Sequence, residues 1–504
     1  MKRVIKKILP IFLFALFSFV GVERSHASTV GLNAVVIFDQ SAKDLYEDII
    51  QLKHQDMERR LYAYEIEHPQ NLVASYLRGY YHFLTCFIQE DPKLYRSFGK
   101  LMDMNIKVLE GLSLSDPMRR FIIAELKLMW SVVHLKFDER IKAGYQIYGA
   151  YKLLDENIRL FPSFSLSKKS YCIILALSES LPSWAQNLVG IKASSQEAQA
   201  MIESLIEMPA SQKLIFEKEL LVVGMYLYYH QFSQKANARK LGAQLLELGP
   251  NNPIIVFLVA NIMQRDGENE RAIGLLSSVS SSRMDGLFPS LNFVLGKYKL
   301  HRMDADAIRC FEKFLLHTKG QNYRKESLQK LAWAHLIIRN DSKAYKSYMQ
   351  RVINEGTSIT DEDKQALKEA KSGVIPKREL LKARLLCDGA YYLEAKKVLS
   401  VFDPKGLIQS DKIAYHYRMG KIAQGLKNSK EALSWYQVCI ADGKNTRNYM
   451  ISGAMLQCGG IYEELGHFSE ARLWYQRCLD SDPDSYKNGL HQKAKSGLLR
   501  IQRR

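Results

Sequence analysis

Two carboxylate pairs are the first residues to weigh for chemistry, Glu463-Glu464 and Asp480 with Asp482. General acid–base work needs two carboxyl groups converging on one point. Adjacent residues on a helix point about 100° apart, so Glu463 and Glu464 diverge, and the two aspartates fall at a helix end. The 12 histidines are scattered, and His68 before Pro69 and His301 before Arg302 read as surface or capping groups. No H-E-x-x-H, G-x-S-x-G, phosphate-binding loop or dinucleotide glycine fingerprint occurs. The sequence nominates no catalytic residue, no metal ligand and no cofactor site.

Cysteine gives no chemistry either. The seven residues, Cys86, Cys172, Cys310, Cys387, Cys439, Cys458 and Cys478, include no C-x-x-C and no paired histidine spacing. An odd number excludes complete intramolecular pairing. Cys439 and Cys478 each stand seven residues after a recurring alanine, where a small buried side chain fits and a free thiol behaves as a small hydrophobe. Packing is the reading adopted, with a disulfide as its rival.

That alanine is the organising feature of the C-terminal half. Gly459 precedes Ala471 by twelve residues, and Pro483 follows Ala471 by twelve. Ala260/Ala272, Ala332/Ala344, Ala383/Ala395 and Gly420/Ala432 repeat the offset, and Gly296/Ala307 misses it by one. Large apolar residues stand four after each alanine: Leu276, Phe311, Tyr348, Leu399, Tyr436 and Tyr475. Small residues let two helix axes approach closely, and a hairpin that cannot bury its apolar face alone must stack on neighbours. The longest alanine-to-alanine step contains Thr360-x-x-Asp363, a helix-start pattern that predicts an additional short helix. Pro483 is expected to end the last second helix.

The stretch Cys458-Gly-Gly-Ile-Tyr-Glu-Glu-Leu-Gly-His-Phe-Ser-Glu-Ala-Arg-Leu-Trp-Tyr-Gln-Arg-Cys-Leu-Asp-Ser-Asp-Pro483 resembles a tetratricopeptide repeat throughout. Residues 414–442 and 254–277 resemble weaker copies. The resemblance implies an all-α, right-handed α-solenoid of helical hairpins that binds proteins, with an irregular helical region before it. Tyr417, Lys421 and Gln424 share one face of their helix, and Asn261 and Lys297 fall at equivalent offsets. By the resemblance this face lines an inner groove; the alternative is that all five are ordinary exposed residues. The family's peptide-carboxylate clamp is not present, because Phe257, Phe293 and Gln329 occupy clamp-type positions.

Further upstream the spacing is helical almost everywhere. A stripe of Leu45, Ile49, Leu52, Met57 and Leu61 runs toward Pro69, and helices are expected at 72–87, 93–112, 117–135 and 138–161. Residues 162–215 are the least regular. Tyr76–Phe87, Ala150–Phe164 and the helix pair ending in Leu181–Ile191 are similar to an exported tetratricopeptide family of Bacteroidetes-type bacteria, which implies no known reaction. The expected organisation is a signal peptide over 1–27, a helical region over 28–215, the repeat array over 216–486 and a basic capping helix over 487–504. In that last segment Leu490, Ala494, Leu498 and Ile501 face the last hairpin, while Lys487, Lys493, Lys495, Arg500, Arg503 and Arg504 face out. The rival reading is a basic tail that binds an acidic partner or membrane surface.

The leader reading rests on Lys2, Arg3, Lys6 and Lys7, then a short apolar run from Ile8 to Val22, then Ser25-His26-Ala27 as a cleavage site. The run falls short of the roughly 20 residues that span a bilayer. Export to the periplasm, or secretion, is the expectation. The whole chain carries +18, and removing 1–27 takes five Lys/Arg and one Glu, leaving +14. Such charge suits a protein partner, an anionic membrane or an envelope polymer, while export excludes nucleic acid. A non-catalytic, protein-binding scaffold is the first reading and an envelope adaptor binding anionic lipid or glycan the second. An enzyme with its site in 162–215 is the third.

Overall fold

The computed structural model describes residues 34–113, 115–178, 194–232 and 234–502. The proposed leader lies outside the described residues. Among those residues every regular element is helical, and the only β-type pairing is an isolated bridge between Val35 and Asn71. The chain divides into two compact units, residues 1–87 with 96–170 and residues 88–95 with 171–504.

The first unit is built on α1 (Gln40–Ile50), α2 (Met57–Glu67), α3 (Val73–Gln89), α4 (Pro92–Glu110), α5 (Pro117–Lys136) and α6 (Arg140–Leu160). Asp39 caps α1 and Asp116 caps α5, each accepting a backbone N–H with its carboxylate. The single stripe expected over 45–61 is two helices. Leu52 and Asp56 both adopt positive φ, and of the polar Lys53-His54-Gln55 between them only His54 tucks in, its ring 4.9 Å from that of Tyr81. Leu52, Met57 and Leu61 are nevertheless all in the core, so the chain turns without leaving it. The helices expected at 72–87, 93–112, 117–135 and 138–161 coincide with α3 to α6 within two residues at each end. Trp130, Phe121 and Tyr76 fill this unit. Buried Glu125 is held by Lys169 and Ser170, which satisfies a charge that would otherwise be costly.

The second unit follows a short 3-10 turn at 165–167 and α7 (Lys168–Ser178). It continues through α8 (Ser195–Glu207) and the four-residue α9 (Ala210–Lys213) into paired helices. These are α10 (Glu217–His230) with α11 (Lys235–Leu248), then α12 (Pro253–Arg265) with α13 (Asn269–Ser277). After the short α14 (Ser281–Gly286) come α15 (Ser290–His301) with α16 (Asp306–His317), and α17 (Arg324–Ile337) with α18 (Ser342–Asn354). A single helix, α19 (Asp361–Ser372), precedes α20 (Arg378–Asp388) with α21 (Tyr392–Ser400). Finally α22 (Gln409–Gly425) pairs with α23 (Ser429–Asp442), and α24 (Tyr449–Glu464) with α25 (Phe468–Asp480), before α26 (Lys487–Gln502). This is an α-solenoid. Polar caps start many of its helices: Asn252, Asp341, Thr360, Asn428 and Asn448 each accept a backbone N–H.

The small residues do their expected packing, but against a different partner. A Cβ placed on Gly459 would lie 2.6 Å from the Tyr475 ring, and one on Gly420 would lie 2.6 Å from Tyr436. The first helix is therefore hollowed to admit the large residue four after the alanine, while Ala260, Ala272, Ala307, Ala332, Ala383, Ala395, Ala432 and Ala471 are fully buried. One copy departs from the expected register. Ala344 is only partly buried, and Tyr345 takes the buried position one residue later, followed by Met349 and Val352. A tyrosine fits there because its hydroxyl reaches out to Glu369 of α19 at 3.2 Å. Glu369 also accepts from Trp333 at 2.7 Å and Gln329 at 2.6 Å, and Asp363 accepts from the N–H groups of Tyr323 and Glu326 that open α17. The expected short helix at Thr360 is thus a twelve-residue buttress for one hairpin.

The six hairpin turns from α12 onward each carry one residue in the left-handed region: Gly267, Met303, Asn340, Ala390, Lys427 and Gly466. Only two are glycine, although a left-handed L-residue costs roughly 1–2 kcal/mol. The backbone recovers part of that through a closing bond five residues back, for example Asn428 N–H to Ala423 O and His467 N–H to Tyr462 O, both 2.9 Å; at the Asn340 turn the bond runs six back, from Asp341 N–H to His335 O at 3.0 Å.

Helix α26 covers the last hairpin. Tyr475 lies between Gly459 and Gly497, whose added Cβ would sit 2.4 Å from the same ring. Ala494, Gly497 and Ile501 are buried, with Leu490 and Leu498 packed beside them. Arg503 and Arg504 lie outside the described residues, and Arg500 does not face out as the sequence suggested. It forms a two-pronged pair with Glu463 at 2.8 Å for each contact, and Glu463 also accepts from the Tyr475 hydroxyl at 2.6 Å. The carboxylate read as a poor catalytic candidate is a structural anchor.

Two outcomes follow for stability. Gly459→Leu drives a side chain into the Tyr475 ring and is expected to cost roughly 1–3 kcal/mol or more in denaturant unfolding, whereas Ala344→Leu costs far less. Truncation after Ser485 removes the cover from Tyr475 and strands Glu463; a lower melting temperature with aggregation is expected, and an unchanged melting temperature would contradict the capping role.

Candidate functional site

On five successive first helices, α12, α15, α17, α20 and α22, the position after the small residue turns to the concave side of the second unit. Asn261, Lys297, Trp333, Arg384 and Lys421 occupy it in successive hairpins, and all five line one cavity of about 1130 Å³. One helical turn later the same wall is continued by Arg265, His301, Asp388, Gly425 and Glu464, because residues four apart share a helix face. Of the sequence-nominated groove residues, Asn261, Lys297, Lys421 and Gln424 therefore come together here. Tyr417 is the exception. Its hydroxyl would lie 3.1 Å from a Cβ on Gly453 and its ring packs on Tyr436 at 5.9 Å, so it belongs to the packing between hairpins. Gln329, which stands at a clamp-type position, also lines the cavity.

The array curls far enough for distant hairpins to touch. Gln264 Nε2 donates to the Asp388 carbonyl at 2.6 Å, and Asn269 donates to the Tyr391 hydroxyl at 2.9 Å. Tyr391 in turn donates to Glu270 at 2.6 Å. The turn between α12 and α13 thus rests on the turn between α20 and α21. Lys368 of α19 pairs with Asp484, and Ser485 donates to Gln365 at 2.9 Å. Curvature brings Lys493 of α26 onto the cavity wall as well, so this residue does not face outward as the sequence suggested.

Electrostatically the lining is of mixed sign with a basic excess. Lys235 pairs with Asp266 at 3.2 Å, Lys297 and Lys330 share Glu326 at 3.4 and 3.5 Å, and Arg384 approaches Asp388 at 3.9 Å. Lys330 and Arg384 both lie over the Trp333 ring, 3.9 and 4.7 Å from its centre. Burial pushes the Lys330 amine down to about 8 against the pull of Glu326. Burial also pushes His301 down to about 4, with Asp388 opposing and Lys297 and Lys330 assisting. His301 is neutral near pH 7, and its Nδ1 has no hydrogen-bond partner within the protein.

Among the described residues no group of three or more His, Cys, Asp or Glu is placed to hold a metal ion, and no helix is long and apolar enough to cross a membrane. All seven cysteines are buried, and burial raises the thiols of Cys387, Cys439, Cys458 and Cys478 to about 12. Residues 162–215, where the sequence left room for an enzyme site, are described only at 162–178 and 194–215.

Comparison with known proteins agrees with the hairpin geometry at one place. Residues 453–485 match the tetratricopeptide repeat family. The chain carries a tetratricopeptide repeat. Those residues hold Gly459, Gly466, Ala471, Tyr475 and Pro483, the copy in which small residue, turn glycine and large ring all stand at their expected offsets. The search of curated proteins returned no match. Among solved structures the chain is similar to the crystal structure of the APC/C hetero-tetramer Cut9–Hcn1, with 12% identity over 88% of this chain and 87% of that chain and a TM-score of 0.23.

A pH dependence follows from His301. Its folded pKa lies below the unfolded value of about 6.5, so its share of stability is complete above that pH and is lost as pH falls toward 4. His301→Gln is expected to flatten the decline in unfolding free energy between pH 6.5 and 4, by at most about 1.4 kcal/mol per pH unit. Parallel wild-type and variant slopes across that window would contradict the buried, neutral assignment.

Proposed function

We propose that this chain is an exported, non-enzymatic adaptor that holds a segment of a partner protein in the cavity of its helical-hairpin array, with the periplasm as its place of work. The observation that carries the reading is the constant register of the lining. One helix position, and the position a turn later, supply the wall in hairpin after hairpin. A surface assembled this way is long and continuous, which suits an extended chain better than a compact metabolite. Solenoid repeats generally present their concave side to partners, and the tetratricopeptide repeat at 453–485 supports protein binding as the role. Export rests on the basic, apolar and small-residue order of residues 1–27.

Site-specific photo-crosslinking tests the proposal. Benzoylphenylalanine replaces Gln424 in the cavity or Leu473, which is half exposed and outside it. In cells, a discrete polypeptide adduct is expected at position 424 and not at 473. Adducts of equal strength at both positions, or at 473 alone, would place the binding surface elsewhere.

A further inference from the structure

Four cations on the cavity wall have a carboxylate within ion-pair distance, and four do not: Lys427 in the turn after α22, and three on helices. Arg265 ends α12, Lys421 lies in α22 and Lys493 in α26. Among the described residues none of the three makes an ion pair, whereas Lys235, Lys297, Lys330 and Arg384 all do. All three line the same cavity. The amine of Lys493 is pushed down first by its surroundings and then by the charges of Arg265 and Lys421. Water reaches Lys493, which is exposed, yet protein surrounds it on the concave side. Asp388 opposes the charge of Lys421 from beyond ion-pair distance, and the remaining excess of like charge leaves a positive potential focused in a concavity.

We propose that Arg265, Lys421 and Lys493 form an anion site within the cavity, and that it takes the carboxylates of an acidic peptide segment. The inference rests on the cavity being the partner-binding surface and adds the chemistry of what binds there. Two further groups point the same way. His301 is 7% exposed, its Nδ1 is unpartnered, and it lines the same cavity. Gln424 accepts from the Tyr436 hydroxyl through Oε1 at 2.7 Å, which leaves its amide nitrogen to donate to a ligand carbonyl. The site differs from a clamp built on consecutive repeats. Its cations come from the second hairpin, the sixth hairpin and the terminal helix, and only the curl of the array unites them.

Mixed charge favours a peptide over a uniform polyanion. Glu326, Glu362, Asp388 and Glu464 also line the cavity, and a polymer charged at every unit would meet them. An extended peptide places same-side residues roughly 6.6 Å apart, so acidic side chains can meet the cations while intervening ones meet Tyr298, Tyr392 and Tyr486.

The test uses the full chain and a fluorescein-labelled eight-residue peptide of alternating Glu and Leu. A Gln–Leu peptide and a sulfated octasaccharide of heparin type serve as comparisons. The Glu peptide is expected to bind roughly tenfold or more tighter than its Gln counterpart, and to weaken as salt rises. The combined variant Arg265→Gln, Lys421→Gln, Lys493→Gln is expected to lose that advantage while keeping its helical circular dichroism and melting temperature. Changing exposed Lys346, Lys396 and Lys430 to Gln instead matches the loss of net charge outside the cavity and should leave binding intact. Equal binding of the Glu and Gln peptides, no binding of either, or undiminished binding by the cavity variant would overturn the anion site. So would an octasaccharide that displaces the Glu peptide from the wild-type cavity. Adducts at position 424 would still stand in those cases, so the anion site can fail while the groove survives.

Discussion

Everything in the second unit depends on how closely two helices can cross. At Gly420 and Gly459 the first helix gives up a side chain, and the ring of Tyr436 or Tyr475 occupies the space. Close-packed interiors tolerate neither an extra methylene nor a void at such a point. The fit therefore fixes the angle of each hairpin, and the repeated left-handed turn fixes its return. The rotation from one hairpin to the next then accumulates into curvature, which lets the turn at Gly267 meet the turn at Ala390. The cavity is a consequence of that accumulation.

Two breaks in the repetition are informative. Where Tyr345 replaces the small residue, the hairpin gains an additional helix, and Glu369 of that helix gathers Gln329, Trp333 and Tyr345. At the end of the array, α26 stands in for the missing next hairpin. It supplies Gly497 to the far side of the Tyr475 ring and Arg500 to the buried Glu463. In both places a ring or a carboxylate that would otherwise lack cover is satisfied by a single helix.

Much of this was legible in the sequence, for a physical reason. Small residues at helix crossings and polar caps act locally, so offsets such as Gly459 to Ala471 carry them directly. The same locality marked Thr360 as a helix start. What was not legible depended on distance in space or on tolerance of strain. Met303, Ala390 and Lys427 hold left-handed turns without glycine, and that choice leaves no compositional mark. Ala344 misled because an alanine one residue from the true position preserves the pattern. Arg265, His301, Trp333, Arg384 and Asp388 were missed as lining residues, although extending the offset of Asn261, Lys297 and Lys421 to every copy would have found them. Lys493 had no such signal, since only curvature carries it from a terminal helix to the cavity.

Curvature is thus the central claim, and native contacts report on it without mutation. Zero-length carbodiimide coupling joins an amine to a carboxylate only where they already touch. Lys368 and Asp484 form such a pair between α19 and the loop before α26, while Lys487–Asp482 at 2.7 Å and Lys299–Asp306 at 3.0 Å are local controls. Peptide mapping by mass spectrometry is expected to recover the Lys368–Asp484 link together with both controls. Recovery of the controls without the Lys368–Asp484 link would mean that the array is open, and that the cavity described here does not form.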